Sequence, residues 1–302
     1  MPADRTLLAA AFVLAYAVLI GFTDNFVRVI ASEAGMWQFH AIRTAMVFAI
    51  LAVVAVPLGL RLRPVRMRAV AARSALQGTA MLFYFGALAF LPVAQVAAGL
   101  FTAPVFVLIF GRLIWGHHLG PVRIAAVALG FAGVLMVLGP EAARGATLPA
   151  TLPVLAGALY ALANLATREW CAGESAEVLA AGFFAAMGVL GLLGLAALTL
   201  WPLPVPDGTG GFVLRGWVWP GAAFWGWTAV QAAGSLVAVA CVMRAYQLAE
   251  ASRVAVFEYL TLPASAFWGW VIWSETLAPL AVLGMAMIAA AGAMIALRAR
   301  QA

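Results

Sequence analysis

The stretch from Leu91 to Val137 recurs from Ala249 to Ala296, so that Thr102 falls on Thr261, Pro104 on Pro263 and Gly133 on Gly292. A weaker echo sets Asp24 and Arg28 against Asn164 and Arg168. Both copies are almost wholly apolar. A chain built this way must fold as two related halves, in a solvent that accepts continuous apolar surface. Of its 302 residues 66% are hydrophobic and 9% charged, where soluble domains carry about a quarter charged residues. Too little polar surface remains for water, and a lipid bilayer is the solvent that fits.

Crossing the hydrocarbon takes about 20 apolar residues. Ten segments qualify: 7–30, 36–58, 68–90, 93–113, 121–139, 149–169, 177–200, 219–247, 252–273 and 278–297. Turn signals part them, among them Pro57-Leu58-Gly59, Leu91-Pro92, Gly139-Pro140 and the Pro/Gly-rich stretch from Trp201 to Gly216. Arg5 and the Ala15-Tyr16-Ala17 triplet resemble a signal peptide, but the apolar run continues to Phe22, so a retained first span is expected. The expected fold is an all-α integral membrane protein.

The 17 basic residues are all arginine and give a net charge of +6. They gather in loops rather than on a soluble basic face, which argues against nucleic acid as a partner. Arg61, Arg63, Arg66, Arg68 and Arg73 are assigned to the connection after the second span. With ten spans, that connection shares a side with both termini, and with Arg5, Arg112, Arg123, Arg168, Arg244, Arg253, Arg298 and Arg300. The excess of arginine predicts that this side is cytoplasmic. Trp37, Trp201, Trp217, Trp219 and Trp273 fall at the opposite boundary, where indole rings favour the lipid–water interface.

Five spans in each copy is an odd number, so the second copy crosses the membrane inverted. Two halves, 1–145 and 146–302, then face each other across a central cavity about a pseudo-two-fold axis in the membrane plane. Such an object has two related conformations, open to one side or the other. That geometry points to transport.

The paired units TAPVFVLIFGRLIWGHHLGP and TLPASAFWGWVIWSETLAP, each followed by a Gly/Ala-rich span ending GFAGVLMV or AAAGAMIA, resemble the drug/metabolite transporter superfamily in its EamA-type branch. The resemblance covers nearly the whole chain and implies ten helices in two inverted repeats. Glu275 fits the acidic residue that commonly follows the post-proline stretch, whereas the first half has Gly116-His117-His118 there. Arg43 fits a frequent arginine of the second helix. Within the superfamily the likeness is greatest to bacterial inner-membrane exporters of amino acids, including aromatic ones. Phosphate- and nucleotide-sugar carriers, which place basic residues in the cavity, are less similar.

Polar groups inside lipid-bound helices are costly, and each is a candidate for function. Helical spacing puts Gln77, Met81 and Tyr84 on one face, with Phe83 nearby, and Gln95, Thr102 and Phe101 on or beside another. Tyr160 aligns with Asn164, and Trp227 with Gln231 and Ser235, while Glu258 has Tyr259 beside it. These residues either line the cavity or bond neighbouring helices. Amides, hydroxyls and aromatic rings together suit a zwitterion with an apolar side chain. Asp24 is expected in an ion-pair group with Arg28, His40 and Arg43. Glu258 is a candidate for proton coupling or amine recognition, with an ion pair as the structural alternative. Pro104 and Pro263 are candidate hinges or fixed bends that free the carbonyls of Leu100 and Tyr259. Gly188, Gly191, Gly194, Gly130 and Gly133 are assigned to close helix packing, within or between subunits.

Cys171 and Cys241 form neither a disulfide framework nor a metal motif, and no cofactor is expected. An intramembrane enzyme would need a catalytic constellation at membrane depth, and none is present. A receptor would be expected to carry a soluble domain, and a channel rings of like charge. Without a nucleotide-binding GxxxxGK[ST] motif, ATP is not the direct driver. The expectation is a secondary transporter of the bacterial inner membrane, both termini cytoplasmic, acting as a single chain on a small-molecule substrate. Amino acids with aromatic or large neutral side chains are favoured, with multidrug or other metabolite export as the alternative.

Overall fold

A computed structural model describes residues 5–87, 93–138, 151–206, 209–276 and 278–301. Regular structure among them is entirely helical. The helices are α1 (Thr6–Asp24), α2 (Val27–Glu33), α3 (Met36–Val54), α4 (Met67–Ala87), α5 (Val93–Leu100), α6 (Ala103–Trp115), α7 (Pro121–Leu138), α8 (Thr151–Glu169), α9 (Ala176–Leu200), α10 (Thr209–Leu214), α11 (Ala222–Leu248), α12 (Ala251–Glu258), α13 (Thr261–Trp273) and α14 (Pro279–Gln301). Three spans are broken pairs, α1–α2, α5–α6 and α12–α13. Counting each pair once and leaving out the short α10, the helices make the ten spans expected. Six of the described spans are long and apolar enough by themselves to cross a membrane. Helices α4 and α8 fall outside that group, since each carries charged and amide side chains.

Local chemistry sets the helix ends. Pro121 and Pro279 open α7 and α14, where the missing N–H has no helical partner to lose. Ser175 caps α9 by accepting the Val178 N–H at 3.2 Å, with Glu177 in the first turn favouring the positive helix end. Helices α6 and α13 both stop at a tryptophan followed by a left-handed residue, Gly116 with φ 68° and Ser274 with φ 55°.

The breaks change the expected role of the prolines. Pro104 and Pro263 stand in the first turns of α6 and α13, so they start half-helices rather than kink continuous ones. At each break the chain tightens through an i→i−3 bond: Thr102 N–H to Gly99 O at 3.1 Å, Leu260 N–H to Phe257 O at 3.0 Å. The Tyr259 carbonyl is not freed, since it accepts the Leu262 N–H at 3.1 Å. A third break, at Asn25-Phe26, had no proline to announce it. There the Asn25 amide donates to Gly21 O at 2.6 Å and to Ser265 O at 3.3 Å, supplying a partner for a carbonyl the break exposes.

Packing follows the inverted repeat. Helix α1 lies against α11 as α8 lies against α4, while α3 packs on α9 and α7 on α14. In lipid this association rests on close van der Waals contact rather than water release. A Cβ on Gly133 would come within 2.6 Å of the Gly284 carbonyl, and one on Gly284 within 2.5 Å of the Gly133 carbonyl. Gly188 receives Thr44, Gly191 and Gly194 receive Trp37 and its neighbours, and Gly130 receives the Tyr259 ring. These glycines pack inside the chain, which resolves the choice between internal and intersubunit contact.

The two ends of the bundle differ. At one, rich in arginine, Glu174 accepts the Val65 N–H at 3.0 Å, Ser175 donates to Arg61 O at 2.9 Å, and Arg123 pairs with Glu250. At the other, rich in tryptophan, Trp37 donates to Val213 O at 2.8 Å, Gln38 exchanges two bonds with the Val218 backbone, and Arg215 donates to Ala31 O.

Candidate functional site

Two polar clusters occupy the interior between these ends. The first lies toward the tryptophan-rich end. Asp24 ends α1, and its Oδ1 accepts the Gln231 amide of α11 at 2.7 Å. The Gln231 carbonyl oxygen in turn accepts from Arg43 of α3 at 3.4 Å. Arg43 also meets Nδ1 of His40, one turn away, at 3.2 Å. Its guanidinium lies over the Phe39 and Phe184 rings, at 5.0 and 5.3 Å from their centres. Nε2 of His40, Nε of Arg43 and Oγ of the buried Ser235 have no protein partner. Tyr84 lies close enough to feel the Asp24 charge.

Arg28 is absent from this cluster, contrary to the sequence expectation. The break at Asn25 turns it out to the surface, where it pairs with Glu275 at 3.0 Å and lies over Trp273 at 4.0 Å. Asp24, His40 and Arg43 do come together, joined through Gln231 rather than by direct contact of acid and base.

The second cluster lies toward the arginine-rich end. Glu258, the last residue of α12, is 7% exposed. Asn164 of α8 donates to the Tyr246 hydroxyl at 3.0 Å and reaches the Glu258 carboxylate at 3.5 Å. The hydroxyls of Tyr246 and Tyr160 also face that carboxylate, and Tyr16 of α1 adjoins Tyr160. Arg253 does not serve Glu258, being directed to Glu250 and Thr6.

The remaining candidates divide. Gln77 is buried with its carbonyl oxygen unpartnered, on the α4 face that also carries Met81 and Tyr84. Met81 packs on the main core, and Phe83 is half-buried on another side of α4. Trp227 stacks on Phe26 with ring centres 3.4 Å apart, placing an aromatic wall beside Asp24. Thr102 and Tyr259 point elsewhere. The Thr102 hydroxyl donates to Gly99 O at 2.6 Å and sits against Gly157, holding the α5–α6 break. The Tyr259 ring is turned by the α12–α13 break into a separate core with Val134 and Ile288, with Phe101 packed beside it. The side chain of Gln95 lies outside the described residues.

Sequence reading missed Arg73 and Tyr246. Arg73, assigned to a loop, is fully buried in α4. Its place four residues before Gln77, on the same helical face, was the available signal. Tyr246 continues the α11 face of Gln231 and Ser235, about three turns beyond Ser235. Cys171 lies just past α8 near Arg73; burial pushes its thiol above the usual range and the guanidinium opposes that.

Broken spans and two polar clusters built from both halves thus make up the interior, and comparison with known proteins gives what the chain is similar to. Residues 7–139 match the EamA-like transporter family. The resemblance read from the sequence thus holds across the first five spans. The EamA-like segment contributes Asp24, His40, Arg43, Arg73, Gln77 and Tyr84 to the interior. A solved crystal structure shares the fold beyond it, with a TM-score of 0.73 at 21% identity over 98% of each chain. Two curated relatives are riboflavin transporters: one from Rhizobium johnstonii, 36% identical over 30% of this chain and 30% of its own length. The other, from Brucella anthropi, is 32% identical over 32% of this chain and 34% of its own. The chain spans about a third of the length of the curated relatives it matches.

Proposed function

We propose that the chain is a secondary transporter that moves a small, polar, ring-bearing metabolite by alternating access between its halves, 1–145 and 146–302. The observation that carries this reading is that each interior cluster draws side chains from both halves. Asp24 and Arg43 meet Gln231 at one end, and Tyr16 meets Tyr160 and Glu258 at the other. Rocking one half against the other would remake both clusters, which couples cargo contact to conformation. The arginine-rich end is proposed to face the cytoplasm of a bacterial cell, with both termini there and a single chain as the working unit.

For cargo, a flat heteroaromatic ring with a hydrogen-bonding edge suits the Gln231 amide beside the Trp227–Phe26 stack, with the amides of Gln77 and Asn164 offering further polar contacts elsewhere in the interior. The riboflavin transporters among the relatives support a flavin-like vitamin. Export of aromatic or large neutral amino acids is the second reading, favoured by an acid and a base bridged through Gln231, which suits a zwitterion.

Proteoliposomes assayed side by side for uptake of labelled riboflavin and labelled tryptophan, with and without a pH gradient, test both. Saturable uptake of riboflavin alone supports the vitamin reading, and uptake of tryptophan alone supports the amino-acid one. If neither enters, the substrate class is wrong. Acceleration by the gradient that vanishes in Glu258→Gln assigns the coupling proton to Glu258.

A further inference from the structure

We propose that Arg73 is the oxyanion subsite of this passage: its guanidinium takes the carboxylate or phosphate of the cargo in the half of the interior nearer the arginine-rich end. The proposal rests on the transport reading above and narrows its substrate to molecules bearing such a group, an amino acid or a phosphorylated flavin rather than riboflavin itself.

Arg73 is 0% exposed and stands in α4, where it meets helices of the opposite half. Its Nε donates to Thr167 Oγ1 at 2.9 Å, one Nη to Leu179 O at 3.5 Å, and the other to the Met243 sulfur at 2.6 Å. The Thr167 hydroxyl donates onward to Ala163 O at 3.0 Å, so a lone pair is turned toward the arginine. Thus a buried cation with five N–H donors meets two neutral oxygens and a thioether, a weak acceptor. No carboxylate among the described residues lies within 4 Å of it. A buried charge without an opposite partner is costly, and such an intramembrane cation marks a ligand path by default.

Its neighbours strengthen the case. Arg43, the other buried arginine of the interior, has the Asp24 carboxylate near it, whereas Arg73 has only the weakly acidic Cys171 thiol and Tyr160 phenol. Asn164 and Thr167, one turn apart on α8, hold Glu258 and Arg73 respectively, so an acid and a base sit about a helical turn apart along one face. Tyr160 adjoins both. The unpartnered Gln77 oxygen is one turn along α4 from Arg73. A planar guanidinium matches two oxygens of one carboxylate or phosphate, which an ammonium does not.

The test compares ligands that differ in the oxyanion. Tryptophan against tryptamine, flavin mononucleotide against riboflavin, and benzoate against benzamide are titrated into the purified full-length protein, wild type, Arg73→Gln and Arg73→Lys, reading melting temperature and intrinsic fluorescence. The expected result is that in at least one pair the anionic member binds wild type about tenfold more tightly. That preference disappears in Arg73→Gln and is partly kept in Arg73→Lys. Should wild type respond equally to both members of every pair, or to none, the subsite is overturned; this comparison needs no variant to fold. A preference that survives Arg73→Gln also overturns it. Liposome uptake separates the two failures. Transport that persists unchanged in Arg73→Gln removes the subsite and leaves the carrier reading, whereas arginine-dependent anion binding without uptake leaves the subsite and removes that reading.

Discussion

Both ends of the Gln231 amide are engaged by charge, its nitrogen by Asp24 and its oxygen by Arg43. Replacing it with leucine keeps the volume and removes both bonds, leaving two buried ions without their bridge. The expected cost is about 1.5–3 kcal/mol of stability, measured as a fall in melting temperature in detergent, together with loss of transport. Tyr246→Phe removes the acceptor for Asn164 and a hydroxyl from Glu258; about 1 kcal/mol should be lost. These polar residues were legible in the sequence because an amide or acid within an apolar run has few reasons to be there. Partner choice was not legible. Arg28 was paired with Asp24 by helical spacing, and that spacing fails once the helix breaks between them. Arg73 was hidden for the opposite reason: arginines nearby in sequence made it look like part of a loop.

At the scale of elements, the ends of α6 and α13 make a controlled comparison. Each finishes at a tryptophan and turns left-handed, through Gly116 in the first half and Ser274 in the second. A serine side chain in that conformation is strained, and glycine is not. Ser274→Gly should therefore raise stability by about 0.5–1 kcal/mol, whereas Gly116→Ala should lower it by a similar amount; thermal melts of the two variants decide it. Gly133→Ala would drive a methyl into the Gly284 carbonyl and part α7 from α14, at a cost of about 1–3 kcal/mol. The number of spans was legible from apolar length. The broken spans were half legible, through Pro104 and Pro263. The Asn25 break carries no such signal, because its determinant is an asparagine reaching Ser265, far along the chain.

Across the whole molecule, each half finds its main packing partners in the other, and movement between them is the act of transport proposed above. A Cβ added at Gly78 of α4 would lie 3.3 Å from the Ala186 Cβ of α9, close to the spacing a disulfide needs. The double variant Gly78→Cys, Ala186→Cys, made in a background lacking Cys171 and Cys241, ties the halves together. Oxidation should stop uptake and reduction restore it; uptake that continues with the bridge formed would mean that α4 and α9 move as one body. The inverted relation of the halves was legible because repetition and an odd span count impose it, whereas which helices touch follows only from the folded packing.

The close passage of Gly133 against Gly284 has a consequence for how the protein is made. Helix α7 belongs to the first half, but the backbone that fills its groove arrives with α14, translated after all the other described helices. Helices α1, α3 and α4 likewise wait for α11, α9 and α8. The first half therefore enters the bilayer with its mating surfaces facing lipid until the helices of the second half follow. A chain that stops short of α14 would display an unfilled glycine groove, a ready mark by which quality control could tell an unfinished copy from a finished one.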